Sequence, residues 1–255
     1  GGVEVSDDSV KPVGGSPLPF TALSLNAGSI AGSRAKHVSD VLIGVTQVFT
    51  QHTLGQLNFS VSRSDGYLTD PYKVLSVVNP ATGNLVAGPD AGIGLYLYEK
   101  RPDTRDKQSL FGLLKHDFGG NVLDTSLRLM TDDWGVRSQT LDTHFRWNFD
   151  AERFLEPQVR FYKQTAADFY HTVLFSGAPL PAYATADYRL GKFDAVTVGV
   201  KYAAKTSLGQ FGARLELYRQ MATPSADALV GSLRGLDLTP DLKAIVGEIS
   251  YRFGR

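Results

Sequence analysis

From Leu141 to Phe149 the chain reads Leu-Asp-Thr-His-Phe-Arg-Trp-Asn-Phe. Leu141, Thr143, Phe145, Trp147 and Phe149 alternate with Asp142, His144, Arg146 and Asn148. Successive side chains of a strand point to opposite faces, so this spacing sets an almost wholly apolar face back to back with a charged one. A helical winding would mix the two sets on every side. The segment is therefore a strand. A soluble sheet would have to hide its apolar face, whereas a membrane barrel turns that face to lipid and its charges to the lumen.

The pattern recurs along the chain. Leu123, Thr125, Leu127 and Leu129 alternate with Asp124, Ser126 and Arg128. Leu155, Val159 and Phe161 alternate with Glu156, Gln158 and Arg160, and Phe211, Ala213, Leu215 and Leu217 with Arg214 and Glu216. The last segment sets Ile245, Ile249, Tyr251 and Phe253 against Glu248 and Arg252. Softer versions lie at Leu57–Val61 and Val196–Tyr202, and less clean ones at Val41–Thr50 and Leu110–Phe118.

Connections between these strands alternate in length. His52–Gly55, Phe118–Asn121, Asp150–Arg153 and Lys205–Gly209 are short; Asp65–Lys107, Thr165–Lys192 and Ala222–Pro240 are long, with Thr131–Arg137 a tight exception. Short turns at one end and long loops at the other characterise outer-membrane barrels. The expected fold is all-β: an antiparallel transmembrane β-barrel with long loops at 65–107, 165–192 and 222–240, occupying residues 41–255. Residues 1–40 are expected to hold a partial strand at Val3–Ser6 and a Gly/Ser/Pro-rich outer loop at Lys11–Ser39. The chain starts at Gly1 with no leader signature, so a signal peptide is taken as already removed. About nine clear strands plus a partial one leave the barrel short on its N-terminal side.

Bulk properties narrow the function classes. The 26 basic and 26 acidic residues balance, which gives no basic surplus for nucleic acid. Zero cysteines remove thiol catalysis, Cys-ligated zinc and covalently attached haem. The longest apolar run, Val41–Val45, is far below the roughly 18 residues that a membrane helix needs.

The charged strand face supplies the lumen candidates Asp124, Arg128, Asp142, His144, Arg146, Glu156, Arg160, Arg214, Glu216, Glu248 and Arg252. Buried charges need water or one another, so this face reads as a hydrated pore, a grip for a plug or partner, or a self-satisfied salt-bridged wall. His144 has Asp142 on its own face and Asp124 on the next strand as carboxylate neighbours, but a lone lumen histidine is more often a wall residue than a base. No metal spacing, phosphate loop or nucleophile motif is present, so no catalytic, cofactor or metal residue is assigned. In the loops, Asp70, Tyr72 and Lys73 form one cluster, and Arg101, Asp103 and Arg105 a second. Asp132, Asp133 and Trp134 sit in a turn where the indole is expected to anchor at the membrane interface. Two adjacent carboxylates are a weak cation signal.

These loop segments also carry a resemblance. Gly44-Val45-Thr46-Gln47-Val48, Gly66-Tyr67-Leu68-Thr69-Asp70-Pro71-Tyr72-Lys73, Arg101-Pro102-Asp103-Thr104-Arg105, Asp132-Asp133-Trp134-Gly135-Val136-Arg137-Ser138 and Tyr162–Tyr170 resemble a family of Gram-negative outer-membrane barrels known as a domain of unknown function. The resemblance runs from about Val41 to the C-terminus and implies that the family's usual N-terminal portion is absent. It further implies an outer-membrane location and encoding beside a flavin-attaching transferase, a thioredoxin-like protein and a small lipoprotein. The implied role is a channel or scaffold in an envelope redox, electron-transfer or export assembly, with membrane lipid and a periplasmic or surface redox protein or small lipoprotein as partners. The competing readings are an outer-membrane enzyme with a barrel-wall site and a soluble ligand-binding β-protein. The last of these requires the apolar face inside and the charges outside.

Overall fold

The computed structural model describes residues 1–25 and 27–253. In chain order the strands are β1 (Gly2–Val10), the two-residue β2 (Ser16–Pro17) and β3 (Ser29–Ile30), β4 (Arg34–Thr50), β5 (Thr53–Gly66), β6 (Val74–Val78), β7 (Tyr96–Tyr98), β8 (Thr104–Asp117), β9 (Val122–Asp132), β10 (Arg137–Asn148), β11 (Arg153–Gln164), β12 (Val173–Phe175), β13 (Phe193–Thr206), β14 (Gly209–Ala222) and β15 (Leu242–Phe253). Three short 3-10 turns lie at Tyr188–Leu190, Ala226–Leu229 and Gly231–Gly235.

Ten of the strands form one antiparallel meander in the order β1-β4-β5-β8-β9-β10-β11-β13-β14-β15. Each pairs with the next long strand of the chain, so the sheet is built wholly from neighbours in sequence. Residues from β1 through β11 line a single cavity of about 950 Å3. Six interstrand steps in a flat sheet would span about 29 Å, so the sheet is strongly curved. It is not closed: among the described residues β1 and β15 do not pair with each other.

Strand boundaries differ from the sequence expectation at the N-terminal side. β1 is a full nine-residue strand in register with β4 from Gly2↔Leu42 to Val10↔Arg34. β4 begins at Arg34, so the connection is shorter than the expected Lys11–Ser39. Lys36, Val38 and Asp40 already alternate with His37 and Ser39 there, but the apolar signal is too weak to be read locally. The β4–β5 turn is only Gln51–His52, with Thr53 already in β5.

The larger departure lies at the loop end. The long connections are not solvated loops but interlock into a folded cap. β6 pairs parallel with β12 and antiparallel with β7, which makes a three-stranded sheet from two different connections. Its buried centre is Leu75, Val77, Leu97, Leu174 and Ala184, with Phe20 and Ala22 from the first connection packed on it. Apart from Ala195 and Ala203 on β13, every buried apolar side chain among the described residues belongs to a connection rather than to the ten-stranded sheet. Ser232 N donates to Thr82 O at 2.8 Å, joining the β14–β15 connection to the β5–β8 connection. Those elements lie several strands apart in the sheet, so the cap bridges across its concave mouth.

Candidate functional site

The outward face of the sheet carries the apolar residues and leaves them bare: Phe145 is 36% exposed, Trp147 52% and Ile249 81%. Toward the loop end this face turns polar on every strand, and the boundary follows a rule. Val41 and Val61 share a row, as do Leu110 and Leu129, then Leu141, Phe161 and Val196, then Leu217 and Ile245. Between these groups the last apolar residue pairs with a polar one: Val5 with Ser39, Val61 with Gln108, Leu129 with Gln139 and Val196 with Arg219. Each such step moves the boundary by one paired row of two residues toward the turn end. Over nine strand-to-strand steps it moves about eight residues, an obliquity of roughly 30° to the registry rows at ordinary strand spacings.

The concave face carries the charges. Below the cavity, toward the turn end, they form a connected web. His144 Nε2 lies 3.1 Å from Asp142 Oδ1, and His144 Nδ1 lies 3.8 Å from Glu156 Oε1. Arg146 Nε donates to Glu156 Oε2 at 2.8 Å, with its guanidinium over the Phe154 ring. Gln158 joins Asp142, at 3.3 Å, to Arg214, also at 3.3 Å, and Arg214 pairs with Glu216. Glu156 rather than Asp124 is thus the second carboxylate at His144; Asp124 lies 3.6 Å from Lys115. Glu248 registers beside Arg214, and Arg252 beside Gln210, on the exposed edge strand β15. Arg128 and Arg160 face the cavity itself, Arg128 over the Phe111 ring.

The cap holds a second charged cluster, assembled from loop residues far apart in sequence. Glu99 is 1% exposed. Its Oε1 accepts from Asp70 N at 2.7 Å, and its Oε2 accepts from the Thr185 hydroxyl. Arg101 Nε lies 2.6 Å from Glu99 Oε1, out of line for a hydrogen bond and so an ion contact. Arg101 Nη2 donates to Asp187 Oδ2 at 2.9 Å, and Arg189 reaches both Asp187 and, at 3.0 Å, Asp70. Burial pushes the Glu99 carboxyl above the ordinary carboxylate range despite its cationic neighbour. Burial also acts to raise Asp187, but hydrogen bonds from Arg189 and the charge of Arg101 outweigh it and hold that carboxyl below its usual value.

The Asp132–Gly135 turn serves this cap. Asp132 accepts from Arg105 Nε at 2.8 Å and from Trp134 N and Val136 N at 3.1 and 2.8 Å, so its carboxylate is fully committed. Asp133 accepts from Asp106 N. Among the described residues no group of three or more His, Asp or Glu side chains is arranged to hold a metal. Trp134 is not an interfacial anchor: it is 4% exposed, packs edge-on to Phe169 at 5.1 Å, stacks under Arg105 at 4.4 Å, and donates from Nε1 to Thr104 O. Gly135 has φ 83°, and a Cβ there would strike the Asp168 carboxylate; Asp168 N donates to Trp134 O at 2.9 Å, which joins the turn to the β11–β13 connection. Of the other loop candidates, the exposed Tyr72 accepts from Val13 N, Lys73 lies over the Tyr188 ring, and Asp103 contributes its backbone O to Gly66 N. Asp187 and Arg189 were missed in the sequence, because the partners that bring them into the cluster, Arg101 and Asp70, lie 86 and 119 residues away along the chain.

Comparison with known families gives one result: a family model described as a protein of unknown function, DUF3570, matches residues 1–253. The match starts some forty residues upstream of Val41, so β1 and the first connection are family sequence as well. No curated protein matches.

Proposed function

This chain belongs to the DUF3570 family, and from that premise we propose that it forms the wall of an outer-membrane β-barrel whose outer end carries the folded cap. The observation that carries the reading is the oblique apolar boundary. A level water–lipid surface meeting tilted strands produces such a stagger, and strand tilts of roughly 35–45° are usual in barrels. The belt also has a fitting height: Leu141 to Phe149 extends about 27 Å along its strand, which the tilt reduces to about 23 Å, against the 25 Å or so of barrel belts. Outward aromatic residues such as Trp147, Phe149, Tyr251 and Phe253 gather at the turn end, where an aromatic girdle belongs. A soluble β-protein would leave this belt in water, so that reading loses its main requirement.

On this account the turn end is periplasmic and the cap lies outside the cell. The interlocked cap favours a scaffold or a gated channel over an open pore. The resemblance adds membership of an envelope redox or export assembly, with the barrel as a sheath or dock for a redox protein or small lipoprotein; a chain without cysteine carries no thiol-ligated centre of its own. The test is extraction and gel mobility. The protein is expected to need detergent for extraction and to shift in mobility on boiling; solubility without detergent, with no heat shift, overturns the proposal.

A further inference from the structure

The inner-face guanidinium groups divide into two sets. Toward the turn end, Arg146 and Arg214 each hold a carboxylate, Glu156 and Glu216. Nearer the cap, Arg128 on β9 and Arg160 on β11 line the cavity, and among the described residues neither has a carboxylate within 4 Å or a side-chain hydrogen bond. Arg160 even has a carboxylate beside it in register, Asp142, but that group is turned to His144 and Gln158. Thr140 lies between the two strands, in register with Arg128 on one side and Tyr162 on the other. The free acidic residues of the chamber, Glu4 and Asp40, form a register pair on β1 and β4. That pair lies three or more strand steps from β9, and among the described residues neither carboxylate comes within 4 Å of Arg128 or Arg160. Lys107 shares a row with Asp40 across Ser62, which offsets its charge.

We propose that Arg128 and Arg160, with the Thr140 hydroxyl between them, bind a small dianion in the chamber beneath the cap, a carboxylate- or phosphate-bearing solute. Guanidinium groups offer paired N–H donors matched to carboxylate and phosphate oxygens. The unpaired arginines stand two strands and one row apart, so two anionic groups on one solute, or one phosphate drawn between converging side chains, satisfy both. The inference goes beyond the membrane reading, because it needs the folded chamber and not the bilayer.

The test is calorimetric titration of the full chain in detergent micelles with succinate and, separately, with inorganic phosphate. Binding of either is expected, weakening about tenfold in Arg128→Ala and in Arg160→Ala and disappearing in the double variant. Arg63→Ala, on the outward face, is expected to bind as the wild type does. A second readout needs no variant: the bound dianion should slow phenylglyoxal modification of Arg128 and Arg160, followed by mass spectrometry, while leaving Arg63 unaffected. No binding by the wild type, unchanged binding in the double variant, or no selective protection overturns the proposal. Heat-shifted gel mobility, run on the same samples, reports separately on the barrel.

Discussion

Asp187 Oδ2 accepts a hydrogen bond from Arg101 Nη2 at 2.9 Å, joining the β11–β13 connection to the β5–β8 connection across the mouth of the sheet. Both side chains are almost wholly buried, and Arg189 and Glu99 complete the cluster. Removing one partner of such a pair leaves its counter-charge buried, at a cost of about 3 kcal/mol. Asp187→Ala should therefore loosen the cap while leaving the sheet folded. Limited proteolysis would show new cleavage within residues 67–103 and 165–192, with the heat-shifted gel band retained.

The same contact bears on conduction. With the cap locked, planar bilayers should record small or no unitary currents from the wild type. Asp187→Ala or Arg101→Ala should raise the conductance. Equal conductance in wild type and variants would mean that the cap does not obstruct the lumen.

Acid should act on Glu99 and Asp187 in opposite directions. The Glu99 carboxyl lies above its ordinary 4.5 in the folded state, so the fold holds this proton more tightly than the unfolded chain does. That contribution is complete below the unfolded value and is lost as pH rises through the folded one. Asp187 lies below its ordinary 3.8, and its contribution is present above that value and lost as pH falls through the folded one. Thermal unfolding of Glu99→Gln should gain on the wild type as pH rises from about 4 to 7. Asp187→Asn should fall furthest behind at neutral pH, and the gap should close in acid.

The two tryptophans report separate environments. Trp134 is buried in the cap, and Trp147 stands exposed on the apolar belt. In vesicles containing brominated lipid, Trp147 emission should be quenched and the Trp134 emission left by Trp147→Phe should not. Trp134→Ala should cost the cap about 3 kcal/mol, the scale of a large buried aromatic.

Strand faces and loop lengths were legible because both signals are local. A period of two needs only a few residues, as at Leu141–Phe149, and the expected connections at 165–192 and 222–240 follow from where alternation stops, the observed ones running 165–192 and 223–241. The cap was not legible. β6, β7 and β12 are Val-Leu-Ser-Val-Val, Tyr-Leu-Tyr and Val-Leu-Phe, too short for any period to show, and β12 finds its partner β6 only when two connections meet. Trp134 lies at a strand end, the place of an interfacial indole and of a cap anchor alike; the sign that decides between them is Asp132, whose carboxylate turns back to the amides of Trp134 and Val136. The charged residues could be read as one face of the sheet, but the split between paired Arg146 and Arg214 and free Arg128 and Arg160 depends on rotamers that no spacing encodes.

The central claim is that the apolar face of the sheet meets lipid, and the absence of cysteine makes it directly testable. Single cysteines placed in turn from Leu141 to Phe149 can be spin-labelled in vesicles and their collision rates measured with oxygen and with a water-soluble nickel chelate. The account predicts a period of two: oxygen reaches positions 141, 143, 145, 147 and 149, and the chelate reaches 142, 144, 146 and 148. The opposite phase, or equal access of the chelate at all nine positions, would contradict it.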